Sequence, residues 1–310
     1  MLNTTAVVLT SPGQLALQSL PLVPPDGPHA IVDVNFSGIS TGTERLLWSG
    51  DMPTFPGMGY PLVPGYETVG RISLAPKDSN FSEGDLVFVP GANCYGAVRG
   101  LFGGAAKRIA ITPSKLTKIP DTLGETGTLL ALAATAHHAV TLSKLPELII
   151  GHGVLGRLVA RITKALGGTP TVWETNADRR EGGGYEVIDP AADTRKDYAC
   201  ILDASGDTSV LDRCMMHLAR RGEIVLAGFY SAPLHFIFPP AFMREAAIRI
   251  AAQWEAKDLT ASLDLIASGK ISLDGLITHR SAAADAPAAY ETAFQNPACL
   301  KMVLDWRNSQ

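Results

Sequence analysis

Apolar and polar positions follow two different rhythms along this chain. Through residues 1–125 the apolar residues come in short, often β-branched runs: Ala6-Val7-Val8-Leu9, Ala30-Ile31-Val32-Asp33-Val34, Thr68-Val69-Gly70-Arg71-Ile72 and Leu86-Val87-Phe88-Val89. Each run is bounded by Pro, Gly, Asp or Asn, as in Ser11-Pro12-Gly13 and Glu83-Gly84-Asp85. Such runs predict short strands and tight turns, the pattern of a small barrel or sandwich. From residue 126 the rhythm lengthens. Residues 128–142 are apolar and Ala-rich, which predicts a buried helix, and Leu148-Ile149-Ile150 reads as a short buried strand. Residues 154–166 have helical spacing, with Arg157, Arg161 and Lys164 on the polar side. Further strands are predicted at 170–174, 199–203, 222–228 and 246–251, and further helices at 207–218 and 258–268. Strands alternating with helices imply βαβ units and a mostly parallel sheet. A helix at 286–294 and a strand at 301–304 end the chain. The expected fold class is therefore α/β. A β-barrel domain spans 1–125 and is closed by 275–310, and a doubly wound parallel-sheet domain spans 126–274.

Composition narrows the function classes. Charged residues make up 18% of the 310, below the roughly 25% of an average soluble domain. Basic and acidic residues number 26 and 30 and are interspersed, for a net charge of −4. No segment is basic enough to grip a phosphate backbone, so nucleic acid is not an expected partner. The four cysteines, Cys94, Cys200, Cys214 and Cys299, are far apart and form no CxxC pair, which points to a reducing, cytoplasmic setting. Met1-Leu2-Asn3-Thr4-Thr5 has neither a basic nor an apolar signal region. Two long uncharged stretches, 126–143 and 224–243, carry His, Thr, Gly and Pro residues that disqualify them as membrane spans. Peripheral association with a surface stays open.

One motif carries chemistry. Gly151-His152-Gly153-Val154-Leu155-Gly156 follows a predicted strand and opens a predicted helix, the context that a dinucleotide fingerprint requires. Gly151 would allow the tight turn, Gly153 the approach of a pyrophosphate, and Gly156 close helix–strand packing, with Val154 and Leu155 opening a helix whose N-terminus faces the anion. Glu174 ends the next strand, about 20 residues on, where an acid bonds ribose hydroxyls and repels a 2′-phosphate. NAD is therefore the expected cofactor, although Arg179 and Arg180 follow closely and weigh toward NADP. The plainer reading is a Gly-rich turn with a surface Glu. Ser205 and Gly228 end later strands, where open sheets bind ligands, but ordinary turns look the same.

Ser37-Gly38-Ile39-Ser40-Thr41-Gly42-Thr43-Glu44, Pro64-Gly65-Tyr66-Glu67-Thr68-Val69-Gly70, Gly84-Asp85-Leu86-Val87 and the glycine motif stand in an order and spacing that resembles the medium-chain dehydrogenase/reductase superfamily across essentially the whole chain. The resemblance implies a GroES-like β-barrel domain plus a Rossmann domain. Within the superfamily the chain is similar to a branch that oxidises the 3-(1-hydroxyethyl) group of a chlorin or bacteriochlorin to 3-acetyl with NAD⁺. That similarity implies a tetrapyrrole small-molecule substrate.

Departures from the superfamily pattern bear on the chemistry. Zinc-dependent relatives carry Cys in the first motif and His in the second; here those positions hold Ser40 or Thr41, and Tyr66. Hydroxyl groups are poor zinc ligands beside thiolate and imidazole, and the four-cysteine structural lobe is missing, so no metal is expected. A positioned acid/base pair must then move the hydroxyl proton. The resemblance makes Thr43 the relay hydroxyl, with Tyr66 and Glu67 the next candidates. Tyr66 reads equally as cavity lining and Glu67 as a structural carboxylate. His137 and His138 lie on the helix before the fingerprint, where successive side chains are about 100° apart, so only one, His138, is expected to face the chemistry, as a base or an axial ligand to a magnesium tetrapyrrole. A satisfied structural histidine is the plainer reading. His152 is expected to pack beside the cofactor.

The apolar segments Leu46-Leu47-Trp48, 52–60 and 229–242 read as loops that line a large ligand or pack at an interface. Ala246, Ile248 and Ile250 read as an edge strand able to pair with a second copy in a homodimer. Two other functions compete: a zinc-free enone or quinone reductase using NAD(P)H, and a non-catalytic nucleotide-binding protein.

Overall fold

Strand β1 (Asn3–Ser11) turns through Gly13, at φ +70°, into β2 (Gln14–Pro21), with which it pairs antiparallel. β3 (Ala30–Ile39) follows, and its sequence of buried positions on both faces marks it as a central strand. Next comes a helix, α1 (Thr43–Ser49), where the sequence reads as loop. Leu47 is buried with Leu9, Met52, Leu62 and Leu101, and Leu46, Trp48, Phe55, Met58 and Tyr60 pack against them as a satellite core. Short pieces then complete the barrel: β4 (Leu62–Val63), β5 (Thr68–Leu74), β6 (Leu86–Val89), β7 (Arg99–Gly100), β8 (Arg108–Ile111) and β9 (Thr117–Lys118). One four-stranded sheet runs β2-β1-β4-β7. The structure, a computed structural model, describes residues 2–308.

The expected helix at 128–142 is a 3₁₀ stretch (Asp121–Leu129) followed by α2 (Leu130–Thr141). Then β10 (Leu148–Ile150), α3 (Val154–Ala165), β11 (Thr171–Trp173), β12 (Glu186–Ile188), β13 (Tyr198–Asp203), α4 (Val210–His217), β14 (Leu218–Leu226), α5 (Phe238–Arg244), β15 (Ala247–Ile250) and α6 (Ala256–Ala267) alternate. The six strands lie in the order β12-β11-β10-β13-β14-β15, every neighbour parallel. Strand order reverses between β10 and β13, the switch point where open sheets bind ligands. β12 has no signal in the sequence because its three residues are half-buried to exposed. α5 also lies in a segment that reads as loop.

The chain then returns through β16 (His279–Ala282), α7 (Ala286–Gln295) and β17 (Met302–Asp305). β17 pairs antiparallel with β3, and a seven-stranded sheet runs β16-β17-β3-β5-β6-β9, with β8 also on β3. The chain folds as two compact units, Met1–Leu130 with Gly275–Gln310, and Ala131–Asp274. The first boundary thus falls at the start of α2, beyond the expected 125. The returning segment is integral to the first unit: Tyr290, Ala293, Met302, Leu304 and Trp306 are buried in one core with Val7, Val32, Val87 and Ile109, and the Trp306 indole N–H donates to Ser37 Oγ at 2.8 Å.

Candidate functional site

In the first unit the two sequence motifs meet. β3 ends at Ile39, which leaves Ser40 almost fully buried at the entrance to α1. Ser40 Oγ and the Tyr66 hydroxyl lie 2.6 Å apart, and the Thr43 side chain, on the first residue of α1, is near enough to the same phenol to pull its pKa down. The Tyr66 ring meets Phe102 edge-on, with centroids 5.5 Å apart. Burial, reinforced by the negative charge of Glu67, pushes the Tyr66 hydroxyl well above the ordinary phenol range. Near neutral pH it is a hydrogen-bond donor and not a phenolate base.

Glu67 follows Tyr66 in sequence but is held elsewhere. It is fully buried, and its Oε2 accepts a 2.6 Å bond from Lys301 Nζ, which also donates to the Ile39 carbonyl at 3.1 Å. Burial pushes the carboxyl up while Lys301 opposes the shift. Oε1 has no partner among the described residues. A Cβ at Gly38 would lie 2.3 Å from Glu67 Oε2, so the pair needs a glycine there. Glu44, also fully buried, accepts from Ser40 N–H at 3.1 Å and from the Tyr290 hydroxyl at 2.7 Å. Burial raises its pKa to about 7 against the opposing pull of those two bonds. Sequence reasoning missed Glu44, Tyr290 and Lys301 as functional groups. The one available signal was Lys301 itself, a lone cation in the apolar run Leu300-Lys301-Met302-Val303-Leu304.

In the second unit the glycine motif forms the expected strand–turn–helix. Gly151 sits at φ +93°, a left-handed conformation that favours glycine. A Cβ at Gly156 would come within 1.9 Å of the Gly151 carbonyl oxygen, whereas one at Gly153 would meet nothing within 4 Å. Gly153 is the N-cap of α3, and no side chain caps the amides of the first turn, which begins with Val154 and Leu155. The Glu174 carboxylate accepts from the backbone N–H of His152 (3.1 Å) and of Asn176 (2.8 Å). His152 is buried, with Nδ1 2.6 Å from the Arg179 carbonyl and Nε2 2.9 Å from the Tyr185 hydroxyl. Burial pulls its pKa down to about 4, so the ring is neutral. Arg157, also buried, donates to the carbonyls of His152, Arg179, Glu181 and Gly182, tying the segment after β11 onto the glycine turn. Arg180 is engaged too, by the Glu174 and Thr175 carbonyls and by Asp189.

Ser205 and Gly228 stand at the ends of β13 and β14. The Ser205 hydroxyl and N–H both donate to Asp203 Oδ1, at 2.6 and 2.9 Å, and the Tyr230 hydroxyl donates to Oδ2. A Cβ at Gly228 would approach Gly206 N to 2.7 Å, so that glycine lets two strand-end loops touch. His138 requires a correction. Neighbouring helix positions were expected to diverge, yet His137 Nδ1 and His138 Nδ1 reach the two oxygens of one buried carboxylate, Asp258, at 2.9 and 3.0 Å. Asp258 is the N3 residue of the capping box that starts α6, where it also accepts from Glu255 N–H at 2.9 Å. Held there, its carboxylate lies between the two rings, and each ring turns toward its own oxygen. His138 is thus tied to α6. No group of three or more His, Cys, Asp or Glu side chains among the described residues could hold a metal ion.

A glycine-turn dinucleotide fold joined to a barrel that the C-terminal strands complete is the architecture of the medium-chain dehydrogenases. Residues 26–121 match the alcohol dehydrogenase GroES-like domain. A protein of Escherichia coli described as a short chain alcohol dehydrogenase, solved with NADH, superposes with a TM-score of 0.84 at 21% identity, covering 98% of this chain and 99% of that one. The 2-desacetyl-2-hydroxyethyl bacteriochlorophyllide A dehydrogenase of Rhodobacter capsulatus is 52% identical over 314 residues, 100% of both chains. Its namesake in Cereibacter sphaeroides is 54% identical over 99% of both chains. The chain belongs to the 2-desacetyl-2-hydroxyethyl bacteriochlorophyllide A dehydrogenase family.

Proposed function

We propose that this protein oxidises the 3-(1-hydroxyethyl) side chain of a bacteriochlorophyllide to 3-acetyl, passing a hydride to NAD⁺ without a zinc ion. The observation that carries the reading is the identity of 52% and 54%, over essentially full length, to proteins named for that pigment. The glycine turn fits a dinucleotide: open space at Gly153, a helix start without a side-chain cap, and an acidic side chain fixed at the end of β11. The first-turn amides at Val154 and Leu155 would receive the pyrophosphate. Glu174, held by two backbone amides, would take the ribose hydroxyls and repel a 2′-phosphate. Engagement of Arg180 with Asp189 supports NAD over NADP. Bound there, the nicotinamide supplies the hydride acceptor.

The oxidation removes a hydride from carbon and a proton from oxygen, leaving the ketone. Tyr66 is kept protonated by burial, so the substrate hydroxyl hands its proton to the phenol oxygen as the phenol passes its own to the neighbouring Thr43 hydroxyl, which is partly exposed and releases it to water. Glu67 and His138 hold structure through Lys301 and Asp258. Hydroxyls at Ser40 and Tyr66, which pair with each other, support metal-free chemistry. Four cysteines without a disulfide fit a reducing, cytoplasmic setting. Among the described residues no helix is long and apolar enough to cross a membrane. We also propose that the chain assembles as a homodimer through β15, one of the two edge strands of the parallel sheet.

The test is incubation of purified protein with NAD⁺ and a 3-(1-hydroxyethyl) bacteriochlorophyllide, following pigment absorbance and NADH together, with zinc measured on the same sample. One NADH per 3-acetyl product in zinc-free protein supports the reading. Absence of turnover, or turnover that scales with bound zinc, overturns it. Tyr66→Phe is expected to lower kcat by about 10²-fold, the lower end for a lost proton-transfer partner.

A further inference from the structure

The proposed chemistry leaves Glu44 without a role, although it is fully buried beside the Ser40–Tyr66 pair. Its carboxyl joins two distant parts of the first unit. Oε1 takes the N–H of Ser40, and Oε2 takes the hydroxyl of Tyr290 on α7, 246 positions away. The titratable groups around it are Glu67, Lys301, Tyr290 and Tyr66. Both tyrosines are pushed up by burial and stay neutral. Lys301 Nζ is bonded to Glu67 Oε2 and the Ile39 carbonyl, so the one ammonium is used by Glu67. Two carboxyls then share a pocket with one cation. A second uncompensated charge in such a place is costly, so the pocket is neutral when Glu44 carries a proton. A protonated Glu44 still offers an oxygen to Ser40 N–H and still bonds Tyr290.

We propose that Glu44 is a positioning residue: as a neutral carboxyl it clamps the start of α1 to α7 and thereby fixes Ser40 and Thr43 against the Tyr66 hydroxyl. The proposal rests on the reading of Tyr66 and Thr43 as the substrate-oxygen end of the site. Ionisation of Glu44 adds repulsion with Glu67 across Lys301 and loosens the clamp. The raised pKa of Glu44, about 7, puts that change near neutrality.

Glu44→Gln is an isosteric neutral clamp and preserves the fold, whereas Glu44→Ala removes both bonds. With NAD⁺ and the pigment as substrates, the wild-type to Glu44→Gln ratio of kcat is expected to fall at least about threefold between pH 6 and pH 8, as the wild-type carboxyl ionises. Glu44→Ala is expected to lose about tenfold in kcat, the order of one unmade buried hydrogen bond, with unchanged affinity for NADH read by fluorescence. Difference infrared spectroscopy of the resting protein should show a protonated carboxyl band titrating near pH 7 that vanishes in Glu44→Gln. A pH-independent ratio, or a band that persists in Glu44→Gln, overturns the proposal. The underlying reading fails separately: if Tyr66→Phe turns over like wild type, the site assignment is wrong whatever the Glu44 variants do.

Discussion

Two buried titrating side chains act on stability in opposite directions. Glu44 is raised from 4.5 to about 7, so between those values the native state holds a proton that the unfolded chain releases. Its stabilisation is complete below pH 4.5 and is lost as pH rises through 7. His152 is lowered from 6.5 to about 4, so the unfolded chain holds the extra proton and stability rises with pH across that range. Glu44→Gln isolates the first effect. Relative to wild type it should gain up to roughly 3 kcal/mol between pH 4.5 and pH 7, read by urea unfolding. A flat difference would show that the carboxyl titrates normally. At Gly156 the constraint is steric. A methyl group there meets the Gly151 carbonyl oxygen at 1.9 Å, so Gly156→Ala must displace α3 from its turn, at about 1–3 kcal/mol, and should weaken NADH binding. Wild-type stability and binding in that variant would contradict the geometry.

At the scale of elements, α5 and β15 form the most apolar exposed face of the second unit. Phe238, Phe242 and Met243 are 65–71% exposed, and Ile250, on the edge strand, is 67% exposed. An edge strand leaves a row of backbone donors and acceptors unpaired, and a two-fold axis would pair it with itself. Wild-type protein is expected to sediment as a dimer. Ile250→Lys with Met243→Glu should sediment as a monomer and retain its helix and sheet signal. A wild-type monomer at every concentration would refute the pairing. The sequence registered this strand at 246–251, since alternation of Ala246, Ile248 and Ile250 is local. It did not reveal α5 or α1, because seven-residue helices opened by Pro, Gly or Thr carry too few turns to show a period. The paired histidines show the same limit. Helix geometry places His137 and His138 on different bearings, and only the placement of Asp258 from α6 lets one carboxylate gather both.

At the scale of the molecule, the first unit depends on chain ends that meet. Lys301 from the returning segment and Glu67 from the second motif form a fully buried ion pair 234 positions apart. Lys301→Met leaves Glu67 as an unpaired buried charge and should cost about 3–5 kcal/mol in urea unfolding, while Lys301→Met with Glu67→Gln should recover most of the loss. Equal loss in the single and double variants would mean that packing, not charge, is what Lys301 provides.

Sequence alone determined what neighbouring residues encode: the change from strand to βαβ rhythm, the glycine turn with its acid at the end of β11, and the hydroxyls at Ser40 and Tyr66. These depend on backbone geometry and on residue type within a few turns, so spacing exposes them. The tertiary structure decided which groups share a pocket. Glu44 with Tyr290, Glu67 with Lys301, and Asp258 with both histidines are partners 120 to 246 positions apart. Only the fold brings such residues together, and burial then sets their charge.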